Sequence, residues 1–254
     1  MMNLTFLGTG TSTGVPTLGC DCEVCQSTDP RDHRLRCSSL LEVDDKKILI
    51  DCGPDFRQQA LREHIFSLDA ILLTHAHYDH VGGMDDLRVM QNLQLYASEK
   101  TNESVRKLFY YCFQQTNYVG MLSHLNLHDI SENLDPFCVA DNITVQPIRA
   151  MHAYLPVLGF RIGDFAYLTD FKTIEPSEKD KMKGLDVLVL GMLRIEPHRS
   201  HLSLSEALEL VDELKPSRCY FVHMCHQIGL HNNVQKCLPE NCFLAYDGLK
   251  ISIK

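Results

Sequence analysis

Several side chains of the types that bind metal ions in proteins lie close together in one short stretch of the sequence. Four potential ligands lie within six residues: His75, His77, Asp79 and His80. They follow Ala70–Leu73, an apolar run typical of a buried strand. In an extended chain the first two histidines project to the same side, and a tight turn would bring the other two ligands to a second position. Imidazole and carboxylate groups together suit zinc, and also manganese or iron.

The alternative for this stretch is a polar loop whose histidines make ordinary hydrogen bonds. Four polar groups at the end of a buried strand would be costly unless a cation neutralised them. The clustering therefore favours a metal site with catalytic potential over a polar loop.

A second group of metal-binding residues lies near the N-terminus. Cys20, Cys22 and Cys25 place three thiolates within six residues, which is the start of a closed structural zinc site that needs a fourth ligand. The later run His223-Met224-Cys225-His226 offers candidates for it. The chain has 11 cysteines, an odd number, and no export signal at its N-terminus, so a disulfide scaffold is disfavoured. Cysteines simply buried in a core remain the alternative.

Short β-rich runs between helical stretches predict a mixed α and β domain. A helix is expected after Gly53, with Pro54 in its first position, and another over Asn102–Phe113. The clearest helix begins at Ser203, which forms a capping box with Glu206. The predicted strands are Leu4–Leu7, Ser39–Val43, Lys47–Asp51, Ala70–Leu73, Ile143–Ile148, Gly159–Ile162, Phe165–Leu168, Val187–Leu190, Cys219–Val222 and Gly248–Ile253.

The segment 109–137 is rich in aromatic residues and fits no regular element well. Its ordinary interpretation is a packed insertion, and the functional one is a lid or a dimer contact, because long loops in compact domains are often functional. Without repeats or linkers elsewhere, residues 1–254 are expected to form a single domain, with a cysteine-rich zinc loop at about 8–37.

The amino-acid composition disfavours two classes of protein, those that bind long nucleic acids and those that span membranes. The 254 residues carry 24 basic and 33 acidic side chains, a net charge of −9, which makes binding to long nucleic acids unlikely. The sequence has no apolar run near 18 residues and no signal peptide. We therefore expect a soluble, cytoplasmic protein with no membrane partner.

The metal-binding run resembles the His-x-His-x-Asp-His signature of the metallo-β-lactamase superfamily. The superfamily's other landmarks match four residues, each at or just beyond a predicted strand end: Asp51, His152, Asp170 and His223. The resemblance implies an αββα sandwich with two divalent metals, zinc, manganese or iron. It implies that His75, His77 and His152 hold one metal, that Asp79, His80 and His223 hold the other, and that Asp170 bridges them. The resemblance also places Asp79 among the catalytic residues.

The cysteine group and the opening Leu7-Gly8-Thr9-Gly10 look like the cyclic phosphodiesterases of the carbon–phosphorus lyase pathway. That resemblance implies that His226 completes the zinc site, with Cys225 as a rival ligand. It also implies that His201 donates a proton to the leaving oxygen, and that the protein is a homodimer. A helix N-terminus suits an anionic phosphate, and an imidazole can deliver a proton. A surface histidine is the alternative for His201.

These observations predict a dinuclear metal-dependent phosphodiesterase that hydrolyses a small, cyclic phosphodiester such as phosphoribosyl 1,2-cyclic phosphate. One alternative is a metal-dependent thioesterase or lactonase. An alternative from another class is a non-catalytic, metal-stabilised binding protein, which would not need an open two-metal site.

Overall fold

The computed structural model describes residues 2–113 and 125–254. Within these residues, fourteen strands form two seven-stranded sheets. In chain order the strands are β1 (Met2–Gly8), β2 (Ser38–Val43), β3 (Lys46–Ile50), β4 (Ala70–Leu72), β5 (Leu93–Ser98), β6 (Leu125–Ile130), β7 (Phe137–Val139), β8 (Ile143–His152), β9 (Leu155–Ile162), β10 (Phe165–Leu168), β11 (Val187–Gly191), β12 (Arg218–Val222), β13 (Cys242–Leu244) and β14 (Lys250–Ile253).

The two sheets have matching layouts. The first runs β14-β1-β2-β3-β4-β5-β6 and the second runs β13-β12-β11-β10-β9-β8-β7. In each sheet four strands are parallel, β3 to β6 in one and β10 to β13 in the other, and the rest pair antiparallel. Neighbouring parallel strands end at the same edge of their sheet, where loops can gather functional side chains.

Helices cover the outer faces of the sheets. The described residues contain α1 (Phe56–Arg62), α2 (Tyr78–Val81), α3 (Glu99–Leu108), α4 (Tyr110–Phe113), α5 (Pro176–Asp180), α6 (Leu204–Leu214) and α7 (His231–Gln235). Short 3-10 helices occupy Pro30–Asp32, Met84–Val89 and His226–Ile228. None of these helices has the length and apolar character needed to span a bilayer.

The alternation of apolar residues along the strands explains the layering. In β3, Ile48 and Ile50 join the core between the sheets, whereas Leu49 packs in the layer that contains α1. In β11, Val187 and Leu188 divide in the same way between the central core and the layer under α6. Strands buried on both faces read as continuous apolar runs, and the resulting arrangement is the predicted αββα sandwich.

The predicted elements are mostly confirmed, with four corrections. The helix after Gly53 begins at Phe56, so Pro54 precedes it. The helix expected over Asn102–Phe113 begins earlier and is divided into α3 and α4. Strands β5, β7 and β13 were not predicted.

The fourth correction concerns the aromatic segment 109–137. Its expected irregular structure is wrong at Leu125–Ile130, where β6 adds a strand to the edge of the first sheet. Tyr118 and the rest of 114–124 lie outside the described residues, so the lid and dimer-contact hypotheses remain predictions.

Candidate metal centre

The first histidines of the signature lie just beyond β4. The His75 ring is buried, and its Nδ1 atom lies 2.9 Å from the hydroxyl of Thr74. Its ring centroid is 4.5 Å from that of His77, which is exposed. The apolar strand thus fixes one imidazole inside the protein and leaves the other at the surface of the same site.

The second half of the signature forms the one-turn helix α2. His80 donates from Nδ1 to the Oδ2 atom of Asp51 at 2.7 Å, which turns its Nε2 atom toward the site. The Thr74 hydroxyl donates to the same carboxylate at 2.9 Å. Such outer hydrogen bonds orient metal-binding imidazoles and fix their tautomers. Asp51 is thus placed to support His80 from outside the ligand cluster.

Asp170 stands at the centre of the converging side chains. Its Oδ2 atom lies 3.5 Å from His75 Nε2 and 3.4 Å from His80 Nε2. Its Oδ1 atom lies 2.7 Å from His223 Nε2. One carboxylate thus faces three imidazoles, which is the geometry expected of a bridging ligand.

The potential ligands fall into two groups that share Asp170. Within each group the ligand atoms lie within 4.8 Å of one another. The first group is Asp79, His80, Asp170 and His223, and the second is His75, His77 and Asp170. His152 is outside both groups, but its ring centroid is 5.2 Å from that of His77. It donates from Nδ1 to the Ser200 carbonyl at 2.9 Å, which leaves Nε2 free.

Buried atoms without hydrogen-bond partners test whether these residues suit a cation. Six such atoms belong to residues of the two groups: His75 Nε2, Asp79 Oδ2, His80 Nε2, Asp170 Oδ1, and both Nδ1 and Nε2 of His223. Buried polar atoms normally have partners. The donor set, nitrogen and carboxylate oxygen, suits zinc, manganese or iron, so the residues fit a pair of divalent cations.

Opposite charges control the titration of the buried groups. Burial would raise the pKa of Asp170, but His223 and His80 lower it well below its ordinary value. Burial would lower the pKa of His223, but Asp170 and Asp79 raise it to about 9. Burial, together with His80, lowers the pKa of His75 well below its ordinary value. A cation that binds here must displace protons from the histidines, so its affinity falls as the solution becomes more acidic.

Three residues of the site have left-handed backbone conformations. The φ angles are 60° at Asp51, 51° at Asp170 and 62° at His223, each in the connection after a buried parallel strand. Such conformations cost about 1–3 kcal/mol in residues other than glycine and concentrate at functional sites. The sharp turns let side chains from both sheets point toward one place.

His201 lies at the rim, outside both ligand groups. Its ring centroid is 4.6 Å from that of His152 and 5.1 Å from that of His223. Its Nδ1 atom is 3.8 Å from Asp170 Oδ1. Burial and neighbouring histidines lower the pKa of His201 to about 3, against the opposing effect of Asp170. The side chain is close enough to reach a substrate bound at the cations without being a ligand.

The N-terminal cysteines surround one imidazole nitrogen. The Sγ atoms of Cys20 and Cys22 lie 3.2 Å from His226 Nδ1, and that of Cys25 lies 3.5 Å away. These four residues form a third potential metal group among the described residues. Cys225, the rival fourth ligand, is outside this group and faces Gln227 at 4.0 Å.

The cysteine group and the catalytic cluster are joined through Met224. The Met224 N–H donates to the Thr9 carbonyl at 3.0 Å, and the Thr11 N–H donates to the Met224 carbonyl at 3.1 Å. Met224 lies between His223 of one group and His226 of the other. The N-terminal loop therefore holds the short segment that serves both groups.

Similarity to known proteins identifies the family of this chain. The profile of the beta-lactamase superfamily domain matches residues 46–224. The chain belongs to the metallo-β-lactamase superfamily. A crystal structure described as a new diphosphatase from the PhnP family is 38% identical, with a TM-score of 0.92, and the match covers 100% of this chain and 98% of that one. The family and the fold are thereby confirmed, and the matches support the expected assignment as a metal-dependent hydrolase.

Two further relatives add detail. A protein of Porphyromonas gingivalis named octanoyltransferase is 43% identical over 257 residues, which cover 99% of this chain but 52% of that protein. This chain therefore spans about half the length of that relative. The structure of zinc-bound PqqB from Methylobacterium extorquens has a TM-score of 0.82 at 17% identity, with coverage of 99% and 100%, and supports the fold alone.

The structure also brings forward residues that the sequence did not single out. Thr74 contacts both Asp51 and His75. Lys172 donates to the carbonyl oxygen of His201 at 3.3 Å. Thr74 could have been found from its place directly before the signature, whereas a single lysine two residues after a predicted ligand carries no signal of its own.

Proposed function

We propose that this protein is a two-metal phosphodiesterase whose substrate is a small, cyclic phosphodiester such as phosphoribosyl 1,2-cyclic phosphate. The observation that carries the proposal is the ring of His201 beside a ligand cluster to which it does not belong. Hydrolysis of a phosphodiester with an alkoxide leaving group needs a proton donor in this position. The match to the PhnP-family diphosphatase supports phosphoryl chemistry.

Each group of the site has a part in this reaction. When bound, two cations polarise the phosphoryl group, stabilise its developing charge and activate water. Asp170 and Asp79 supply negative charge that holds the cations, and His80 is kept in one tautomer by Asp51. His201 gives its proton to the departing oxygen. An anionic phosphate beside this imidazole stabilises the charged form of the ring, so substrate itself favours the protonated acid.

We further infer two active-site cations, which can be zinc, manganese or iron, and one structural zinc bound by Cys20, Cys22, Cys25 and His226. Elemental analysis after reconstitution tests these numbers. From the family resemblance we also infer a single domain that forms a homodimer, which light scattering on purified protein tests. The negative net charge supports a small substrate over a nucleic acid.

The decisive experiment is a substrate panel tested with protein reconstituted separately with manganese and with zinc. The panel contains an aryl phosphodiester, 2′,3′-cyclic nucleotides, phosphoribosyl 1,2-cyclic phosphate, a phosphoric anhydride and a lactone. We expect selective turnover of the ribosyl cyclic phosphate. We also expect His201→Ala to lose this turnover while keeping its metal content. Turnover of the lactone alone would contradict the proposal, and full activity in His201→Ala would remove the assignment of the acid.

A second candidate, a thioesterase, is favoured by the relative named octanoyltransferase, since acyl transfer uses activated acyl groups. An octanoyl thioester in the same panel separates the two. Rapid hydrolysis of this compound, with no activity on any phosphate ester, would replace the phosphodiesterase by the acyl hydrolase.

A further inference from the structure

Lys172 connects three parts of the molecule next to the metal cluster. Its backbone N–H donates to the Met151 carbonyl at 2.7 Å, which fixes it beside the end of β8. Its Nζ atom lies 2.5 Å from Glu206 Oε1 and 3.3 Å from the carbonyl oxygen of His201. The ammonium group therefore bridges helix α6 and the backbone that carries His201.

Glu206 is held on its other oxygen by the start of α6. Its Oε2 atom accepts from the Ser203 N–H at 2.8 Å and from the Ser203 hydroxyl at 2.7 Å. The Glu206 carboxylate that takes part in the capping box at the start of the helix is thus the same one that holds Lys172. The position of Lys172 depends on the helix terminus, and the carbonyl of His201 depends on Lys172.

The loop before α6 is fixed at successive residues. The Ser200 carbonyl accepts from His152, the His201 carbonyl accepts from Lys172, and Ser203 donates to Glu206. An ion pair of this kind, with 22% and 35% of the two side chains exposed, contributes little to stability. Its geometric effect is larger, because it restrains the main chain from which the His201 ring projects.

We propose that Lys172 and Glu206 are positioning residues that hold His201 for proton transfer to the leaving oxygen. In the step, an oxygen from water forms a new bond to phosphorus and the water gives up a proton to the solvent. The bond from phosphorus to the leaving oxygen breaks, and its electron pair stays on that oxygen. The proton of the protonated His201 ring passes to that leaving oxygen. This inference rests on the proposed phosphodiesterase activity, because it requires a leaving group that needs a proton.

A second ion pair on α6 provides a matched control. Lys179 Nζ lies 2.6 Å from Glu213 Oε2, and both pairs line one cleft of about 290 Å³. Lys179 makes no hydrogen bond to the loop of His201 among the described contacts. Substitution of Lys179 therefore removes an ion pair from the same helix and cleft without touching the restraint on His201.

The experiment compares Lys172→Met, Glu206→Gln and Lys179→Met on two phosphodiesters. One is a p-nitrophenyl ester, and the other is the ribosyl cyclic phosphate, which serves as the alkyl ester because its leaving group is an alkoxide. A general acid is worth about 10²–10⁴-fold, so imperfect placement in Lys172→Met should lower kcat/KM for the alkyl ester about 10- to 100-fold. The p-nitrophenolate leaves without a proton, and its rate should change less than about threefold. Glu206→Gln should show the same selectivity more weakly, and Lys179→Met should show none.

Two outcomes would overturn the inference. An equal loss on both esters, or no loss on the alkyl ester, excludes a role through the acid. If wild-type protein hydrolyses neither ester, the proposed function fails, and the positioning role is then decided by a crystal structure of Lys172→Met. A His201 ring displaced from its 3.8 Å approach to Asp170 supports the restraint, and an unmoved ring refutes it.

Discussion

Gly53, in the connection after β3, touches the helix that carries Asp79 and His80. The variant Gly53→Ala tests how closely the positions of these two potential ligands depend on that contact. A Cβ atom at Gly53 would lie 2.1 Å from the Asp79 carbonyl oxygen and 3.1 Å from its carbonyl carbon. Because real Cβ contacts are essentially never shorter than 3.0 Å, the two segments would have to separate by about 1 Å.

That separation cannot be absorbed by the neighbouring contacts. The Cys52 N–H donates to the His80 carbonyl at 2.7 Å, and the Gly83 N–H donates to the Cys52 carbonyl at 2.9 Å. The movement therefore reaches Asp79 and His80 themselves. Misplacement by about 1 Å can cost about 10²-fold in rate, and overpacking costs about 1–3 kcal/mol of stability.

We expect Gly53→Ala to lower kcat/KM about 100-fold on any substrate that the wild-type protein hydrolyses, and to weaken metal binding in chelator competition. Gly184→Ala is the control, since its Cβ would meet no atom within 4 Å and only its φ of +71° would be strained. The control should lose about 1 kcal/mol in denaturant unfolding and keep its metal. Wild-type metal affinity and turnover in Gly53→Ala would refute the reasoning from the close contact.

Three further predictions address other parts of the structure. Asp51→Asn removes the carboxylate that accepts from His80, so metal affinity should fall about 10–100-fold in chelator competition; an unchanged affinity would contradict this role. Cys22→Ser should release the metal of the cysteine group and lower the thermal midpoint, as followed by elemental analysis and calorimetry; retained metal would place the ligands elsewhere. Burial, assisted by Arg34, lowers the pKa of His231 to about 4. The folded protein then binds this proton less readily than the unfolded chain does, and stability is lost as the pH falls from about 6.5 toward 4. Between pH 7 and pH 5, His231→Gln should remove about 2 kcal/mol of that loss in denaturant titrations, and equal pH dependence in both proteins would exclude the assignment.

The sequence predicted the parts of this molecule that depend on local chemistry. The apolar runs located ten of the strands, and the pair Ser203 and Glu206 located the start of α6, because a capping box is a local contact. The signature residues and the cysteines were found by type and spacing, and the other potential ligands through the family resemblance. The structure brings all of them except His152 into the ligand groups.

Features that depend on distant contacts were missed. Pro54 was expected to begin a helix, but α1 starts later, and the carboxylate of Asp55 binds Arg36, 19 residues away, instead of capping the helix. In strand β6, at the edge of its sheet, partly buried leucines alternate with exposed polar residues, so the composition of the strand resembles that of a loop. No local pattern reveals that Lys172 reaches His201.

The potential ligands of the candidate metal centre come from opposite halves of the sandwich. His75 and His77 follow a strand of the first sheet, whereas Asp170 and His223 follow strands of the second. Each of the two ligand groups joins residues of both halves, so a cation bound in either group opposes separation of the halves as well as fraying of one loop. Its binding free energy then adds to the stability of the whole fold. The metal supply of the cell would then govern the lifetime of this protein as well as its activity, because chains that fail to acquire cations open more often and are removed sooner by proteases.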